Sequence, residues 1–245
     1  MRKFWRGCRV KKQQPFGQCP EEVTDAKQTE FSLREKVLGG RLRNWNRRKN
    51  MSISLQKGQK VSLSKESAGL SSVMIGLGWD EVKRKGGLFA RKPEPIDCDA
   101  SAILLQGGHL RDKADVVFFG NLQHMSGTVQ HMGDNLTGAG DGDDEQILVY
   151  LDRIPAQYDR IVLVVNIYQA VQRHQHFGMI ENAFIRLVDG KTNKEMCKYN
   201  LTEDYSGMTA MIFGEVYRHN GEWKFSAIGQ GTNDPGLGEL VNRYI

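Results

Sequence analysis

The sequence predicts an all-β protein, a β-sandwich with few short helices, preceded by a mostly disordered basic leader. From Ser52 onward, short apolar segments alternate with polar, glycine-rich turns, and many short strands separated by turns are typical of a sandwich. Near the end of the chain, Asn220-Gly221 lies between two strand-like segments, which is a strong signal for a β-hairpin. No apolar run approaches the roughly 20 residues that a membrane-spanning helix needs.

The predicted strands follow one another at short intervals. Apolar and polar residues alternate over 53–55 and 61–63, and the more continuously apolar strands span 73–77, 102–105, 116–119, 147–151, 161–167, 183–188, 211–217 and 223–228. Helix is predicted only at 169–175 and at 237–244, where the C-terminal segment follows Pro235-Gly236. These elements predict one β domain over residues 51–245.

The first 50 residues differ from the rest of the chain in charge. They hold 14 Lys and Arg against 5 Asp and Glu, whereas residues 51–245 hold 20 basic and 24 acidic groups. Residues 1–50 also lack any sustained apolar period, so we expect a disordered leader rather than a basic anchor for nucleic acid or anionic lipid. Met51-Ser52-Ile53 resembles the N-terminus of a protein, which suggests that the start codon was assigned too early. The acidic body gives no electrostatic case for nucleic acid binding.

The cysteines and the N-terminus indicate a cytoplasmic protein. The start is basic, but Gly7 to Gln14 is polar where a signal peptide would need its apolar region. The four cysteines form no C-x-x-C pair and are too sparse for a disulfide framework, so we expect reduced thiols. Cys98 and Cys197 lie among apolar residues and are predicted to be buried.

One glycine-rich segment concentrates carboxylates. Residues 133–145 contain four glycines together with Asp134, Asn135, Asp141, Asp143, Asp144 and Glu145. Neighbouring anions disfavour each other's ionised form, so such a loop fits a bound cation, and calcium prefers 6–8 oxygen ligands. A solvated acidic turn is the alternative. An EF-hand is excluded because Leu136 and Gly138 fall at ligand positions and Ala139 replaces the required glycine.

A second acidic segment precedes a predicted strand. In Ile96-Asp97-Cys98-Asp99-Ala100-Ser101, alternation places Asp97 and Asp99 on one face of the strand and Cys98 on the other. Two neighbouring carboxylates again fit a cation, although a pair of exposed turn acids is an equal alternative. Asp80, which follows Trp79, is a weaker candidate.

Several sequence strings in a fixed order resemble the TerD family over nearly all of residues 51–245. They are Ser54-Leu55-Gln56-Lys57-Gly58-Gln59, Gly76-Leu77-Gly78-Trp79-Asp80, Ile96 to Ser101, Gly133 to Gly138, Gly140 to Glu145, Asn182 to Arg186, Asn220 to Phe225 and Gly229-Gln230-Gly231. The resemblance implies a β-sandwich that binds calcium where its two acidic elements meet, and a role in tellurium resistance, phage and colicin tolerance and the stress response. It implies as metal ligands Asp80, Asp97, Asp99, Asp134, Asn135, Asp141, Asp143, Asp144 and Glu145, with the Gly138 carbonyl.

The sequence also departs from the family pattern at two points. Cys98 stands where the family commonly has leucine, and the basic stretch from Lys85 to Pro95 is expected to weaken cation binding. We expect no enzymatic activity, because the chain has no G-x-S-x-G or H-E-x-x-H motif. The expected partners are calcium ions and other stress-response proteins, with the inner membrane surface as a location. A calcium-dependent hydrolase of phosphoryl or glycosyl substrates is the alternative function.

Overall fold

The computed structural model describes residues 52–81, 94–133 and 142–245, and within them twelve strands form two six-stranded sheets. The all-β prediction is confirmed. The predicted leader lies outside the described residues, and so does most of the basic stretch from Lys85 to Pro95. Within the described part of the chain, no helix is long and apolar enough to cross a membrane.

The strands of each sheet are far apart in sequence. The first sheet has the order β1 (Ile53–Leu55), β10 (Glu195–Asn200), β9 (Ile180–Asp189), β3 (Val73–Glu81), β7 (Glu145–Val149) and β6 (Val129–His131). The second has the order β2 (Lys60–Ser62), β12 (Glu222–Thr232), β11 (Ala210–His219), β8 (Arg160–Ile167), β4 (Cys98–Leu105) and β5 (Val116–Val117). Apart from the parallel pair β1–β10, these neighbours are antiparallel.

The core lies between the two sheets. In β7 the side chains of Ile147 and Val149 are buried while Gln146 and Leu148 are partly exposed, which is the alternation expected of a half-buried strand. β4 is buried on both faces, because its outer face packs under the C-terminal helix α3 (Leu237–Asn242). That second cluster contains Ile103, Leu105, Val162, Val164, Leu240 and Val241. The remaining helical segments are short: α1 (Leu63–Glu66), α2 (Ala170–Arg173) and the 3-10 turns Lys113–Asp115 and Phe177–Met179.

The hairpin prediction at Asn220-Gly221 is confirmed. β11 and β12 pair up to His219 and Glu222, and the two linking residues have φ angles of 52° and 77°. Positive φ at both central residues is what a type I′ turn requires, and asparagine and glycine adopt it at low cost.

Several elements differ from the prediction, and three strands illustrate the differences. β10 was not predicted because the register shifts between Glu195 and Cys197, and a bulge there breaks the apolar alternation. β6 is only three residues long and mostly polar in sequence. β5 ends at Val117 rather than at residue 119, since Phe118 and Asn121 close a tight turn by exchanging backbone hydrogen bonds.

Candidate metal centre

Two acidic segments, one in each sheet, meet at one end of the sandwich. Asp97 and Asp99 flank Cys98 at the start of β4, Asp144 and Glu145 lie at the start of β7, and these two strands contact each other across the core. Burial raises the pKa of the Cys98 thiol well above its usual range, and the charges of Asp99, Asp97, Asp144 and Glu145 raise it further. Carboxylates from segments more than forty residues apart in sequence are therefore near enough for their charges to act on one buried thiol.

Asp97 and Asp99 are held by pairing between β4 and β8. Cys98 pairs with Ile167 and Asp99 with Asn166, and the backbone N–H of Tyr168 donates to the Asp97 carbonyl oxygen at 2.7 Å. The Asn166 amide donates to Asp99 Oδ2 at 3.3 Å. As alternation predicts, Cys98 packs into the core between the sheets, and Asp99 lies on the opposite face of β4 in a cavity with Asn166 and Tyr168. The Asn166 amide thus orients the Asp99 carboxylate, and the Tyr168 N–H holds the backbone of Asp97.

Asp144 is fixed by the neighbouring strand β3. Its backbone N–H donates to Leu77 O at 2.7 Å, and its Oδ2 accepts from the Trp79 backbone N–H at 2.8 Å. Burial raises the pKa of the Asp144 carboxyl; the Trp79 hydrogen bond opposes this, and the charges of Asp80, Asp143 and Glu145 raise it again. The upward shift of this pKa follows first from burial, and the neighbouring carboxylates add to it.

The Asp143 carboxylate forms a salt bridge with the Arg186 guanidinium. Arg186 of β9 donates to both carboxylate oxygens, from Nε to Oδ1 at 2.6 Å and from Nη2 to Oδ2 at 3.0 Å. Gln146 Nε2 also donates to Oδ2, at 3.1 Å. A bidentate guanidinium–carboxylate pair is among the stronger polar contacts in proteins, and hydrogen bonding to Asp143 raises the pKa of Arg186. In this arrangement Asp143 anchors the end of the acidic loop to β9.

Glycines in β3 make this anchor possible. A Cβ atom at Gly76 would overlap the Asp143 carboxylate, so that carboxylate lies directly against the β3 backbone. A Cβ at Gly78 would lie 2.6 Å from the Phe184 ring and 3.0 Å from the Gly142 carbonyl oxygen. The string Gly76-Leu77-Gly78 is therefore required by close approach of the acidic loop and of β9.

Glu145 points into the core and contacts His131. Its Oε2 lies 2.8 Å from His131 Nε2, and both side chains are almost fully buried. His131 Nδ1 accepts a hydrogen bond from the Gly133 backbone N–H at 3.2 Å. Because Nδ1 accepts this hydrogen bond, the ring proton belongs on Nε2, which lies on the side of the Glu145 carboxylate.

Asp80 lies further out than the other predicted acids. Its exposed carboxylate accepts a hydrogen bond from Asn182 Nδ2 at 2.8 Å, and Asn182 has a left-handed backbone with φ of 53°. Asp80 and Asp144 both line a polar cavity on the outer face of the first sheet, together with Phe184, Lys198 and Asn200.

The remaining predicted ligands, Asp134, Asn135, Gly138 and Asp141, lie outside the described residues, and their assignment stays a prediction. Across residues 52–81, 94–133 and 142–245, no group of three or more His, Cys, Asp or Glu side chains is arranged to hold a metal ion. Asp97, Asp99 and Asp144 offer the hard oxygen donors that calcium prefers, and Asp99 and Asp144 line separate cavities, one on each sheet.

The residues that sequence reasoning missed at this end are Gly76, Arg186 and His131. The glycine was visible in the sequence as part of a family string, without a physical role. Arg186 and His131 belong to strands other than those that carry the acids, so no local spacing connects them to the site.

The fold and its acidic end define a class of protein: a β-sandwich with carboxylates from two sheets gathered at one end. The TerD domain model matches residues 51–244, and the chain belongs to the TerD family. It is 52% identical to stress response protein SCP2 of Bacillus subtilis (strain 168) over 199 residues, which cover 80% of this chain and 100% of that protein. It is 50% identical to tellurium resistance protein TerD of Serratia marcescens over 195 residues, 79% of this chain and 97% of that one.

Solved structures show the same fold. A homologue of telluride resistance protein (TerD) from Streptomyces coelicolor A3(2) superposes with a TM-score of 0.53 at 24% identity, covering 68% of this chain and 92% of that one. A crystal structure of a protein of unknown function superposes equally well, with a TM-score of 0.53 at 26% identity over 71% of this chain and 95% of that one. The chain is thus a member of a tellurium-resistance and general stress-response family.

Proposed function

We propose that this domain binds calcium at its acidic end and serves as a binding or scaffold module in the stress response. The observation that carries the proposal is the meeting of carboxylates from β4 and β7 at one end of the sandwich. Asp97, Asp99 and Asp144 are the proposed ligands within the described residues, and the residues from Asp134 to Asp141 would supply further oxygens.

The surrounding contacts support a division of roles among the acids. Asp143 is paired with the Arg186 guanidinium, which offsets its charge, and Glu145 contacts the His131 ring. The pKa of Asp144, by contrast, is raised by burial and by its acidic neighbours. A divalent cation would relieve that repulsion, and calcium accepts the irregular, oxygen-rich geometry that magnesium does not.

Calcium titration of the full chain by calorimetry tests the proposed ligands. Asp99→Asn and Asp144→Asn each remove one charge while keeping the shape of the side chain, so calcium affinity should fall at least ~10-fold, or ~1.4 kcal/mol. Asp152→Asn is the matched control, because Asp152 is exposed and lies beyond the opposite end of β7. An absence of binding by the parent protein, or equal affinity in all four proteins, would overturn the proposal.

Thermal unfolding gives a second test. Calcium at a thousandfold excess over its dissociation constant should add ~4 kcal/mol to the free energy of unfolding, and magnesium much less. Melting temperatures are compared in EDTA, calcium chloride and magnesium chloride. Identical melting in calcium and in EDTA contradicts calcium binding by the folded state.

The names of the relatives suggest the cellular setting in which the module acts. They describe tellurium resistance and stress response, and we propose the same setting here, with stress-response proteins as partners in the cytoplasm and at the inner membrane surface. Expression in a tellurite-sensitive bacterium should raise tellurite tolerance, and the double variant Asp99→Asn/Asp144→Asn should not. Equal tolerance from both proteins would separate the cellular role from calcium binding.

A further inference from the structure

A chain of hydrogen bonds outside the acidic end connects a buried aspartate to an exposed serine. Asp115 Oδ1 lies 3.1 Å from His124 Nε2, and His124 Nδ1 lies 2.6 Å from Ser126 Oγ. Tyr158 Oη donates to the same Asp115 oxygen at 2.7 Å, and Thr128 Oγ1 lies 2.7 Å from Ser126 Oγ. Asp115, His124 and Thr128 are buried, whereas Ser126 is exposed.

The backbone fixes the direction of this chain. The Ser126 N–H donates to His124 Nδ1 at 3.2 Å, so Nδ1 carries a lone pair and the ring proton is on Nε2, facing Asp115. Thr128 can donate its hydroxyl proton to Ser126 Oγ, which leaves the Ser126 proton for His124 Nδ1. Burial and the hydrogen bond to Asp115 raise the pKa of Tyr158 to about 12, which keeps the phenol protonated as a donor to Asp115.

These are the relations required of an activated nucleophile. The hydroxyl lies within hydrogen-bond reach of an imidazole lone pair, and a buried carboxylate fixes the orientation and tautomer of that imidazole. Other histidines do not share the arrangement. His131 and His176 also accept a backbone N–H two residues on, but the residues there are Gly133 and Gly178, which have no hydroxyl.

Apolar side chains surround the serine in sequence and are left in solvent. Four of the large hydrophobic residues that the described part of the chain exposes belong to the segment 119–132, and they are Phe119, Leu122, Met125 and Met132. Met125, directly before Ser126, is 84% exposed, and Leu122 is 49% exposed. Exposed apolar groups beside a reactive centre favour a ligand with an apolar portion.

We propose that Ser126 is a catalytic nucleophile, with His124 as its general base, that hydrolyses esters of apolar acyl groups. Ser126 Oγ forms a bond to the ester carbonyl carbon while His124 Nδ1 takes its proton. The carbon–oxygen bond to the alcohol then breaks, and the alcohol leaves with that proton. Water attacks the acyl-serine, His124 takes the water proton and returns it to Ser126 Oγ, and the carboxylic acid is released. Asp115 is a positioning residue.

A fluorophosphonate probe and 4-nitrophenyl butyrate test the proposal on the full chain. The probe should label the parent protein once, with the label on the peptide that contains Ser126, and the parent should release nitrophenol. Ser126→Ala should lose both the label and the ester turnover. Ser206→Ala is the matched control, because Ser206 is also exposed but its hydroxyl is hydrogen-bonded to the Asp204 carboxylate.

The base is tested separately, since general-base assistance is worth ~10²–10⁴-fold. His124→Asn should slow labelling of Ser126 at least ~100-fold, with circular dichroism reporting whether the variant folds. If that variant unfolds, peptide mapping of the labelled parent decides instead, because labelling confined to Ser126 supports an activated hydroxyl. No labelling of the parent, or equal labelling rates at Ser126 and Ser206, would overturn the proposal.

Discussion

At the residue scale, the closest contacts of the acidic end depend on two glycines. Gly76 lets the Asp143 carboxylate lie against β3, and Gly78 admits the Phe184 ring. Both glycines belong to a sequence string that resembles the family. Glycine is needed at these two positions because of contacts with residues 67 and 106 positions further along the chain, respectively. Such contacts leave no local pattern, so the structural role of these glycines was not predictable.

Gly76→Ala should destabilise the protein by ~1–3 kcal/mol, as overpacking of a tight site does. The added methyl group would displace the Asp143 carboxylate, which Arg186 and Gln146 hold in place. Urea unfolding at pH 7 measures the change. Gly238→Ala is the control, since its Cβ would meet no atom within 4 Å and alanine favours the helix α3 there. Equal stability of the two variants contradicts close packing at Gly76.

The pairing of Asp143 reverses one expectation from the sequence. Like-charge repulsion alone predicts that Asp143→Asn stabilises the calcium-free protein. The structure predicts a loss of ~1.5–3 kcal/mol instead, because the Arg186 guanidinium would lose its charged, bidentate partner. Asp97→Asn should still be neutral or stabilising without calcium. Chemical denaturation in EDTA compares the two variants, and a more stable Asp143→Asn would show that the Arg186 pair adds little.

At the element scale, sequence patterns predicted the strands that alternate regularly and the hairpin at Asn220-Gly221. They did not predict β10, whose bulge shifts the alternation, and they made β5 two residues too long because Phe118 and Phe119 are apolar but lie in a turn. Tertiary contacts decide both cases: Cys197 and Tyr199 are buried against β9, whereas Phe119 is left exposed.

The carboxylate of Asp189, the last residue of β9, stabilises the turn that leads to β10. Burial of Asp189 raises the pKa of its carboxyl, but hydrogen bonds from the Ser67 hydroxyl and from the Lys191 and Thr192 N–H groups outweigh burial and hold this pKa below its ordinary value. A depressed folded-state pKa gives stability that is present above the unfolded value of about 3.9 and is lost as pH falls through the folded value.

Asp189→Asn should therefore cost ~1–3 kcal/mol at pH 7, and the difference from the parent protein should shrink as pH falls below the unfolded value of about 3.9. Urea unfolding at several pH values between 7 and 2.5 measures both quantities. A stability difference that stays constant over this range would show that the ionised Asp189 carboxylate adds no stability of its own.

At the scale of the whole molecule, the two acidic segments were visible in the sequence, and the resemblance to the TerD family supplied the expectation that they meet at one end. The partners Arg186 and His131 were not predictable, because they come from strands whose neighbours only the topology defines. The hydrogen-bonded chain at Asp115, His124 and Ser126 was missed for the same reason, since its aspartate and serine lie on separate segments with no known motif between them.

The amino-acid pattern of residues 1–50 also leads to a prediction for the whole molecule. Residues 1–50 have no periodic apolar face, so they gain too little from burial to offset an ordering entropy of ~1–2 kcal/mol per residue. A chain beginning at Met51 should match the full chain in melting temperature and calcium affinity. A loss of either would show that the leader contributes to the domain. Loss of binding to anionic vesicles or nucleic acid alone would identify the leader as a basic arm.

The order of strands in the two sheets has a consequence for crowded conditions. The four outermost strands, β1, β6, β2 and β5, have three, three, three and two residues, whereas the long strands lie inside. A free sheet border of two or three residues offers few unpaired backbone groups to a strand of another molecule. The fold therefore resists edge-to-edge aggregation at high protein concentration.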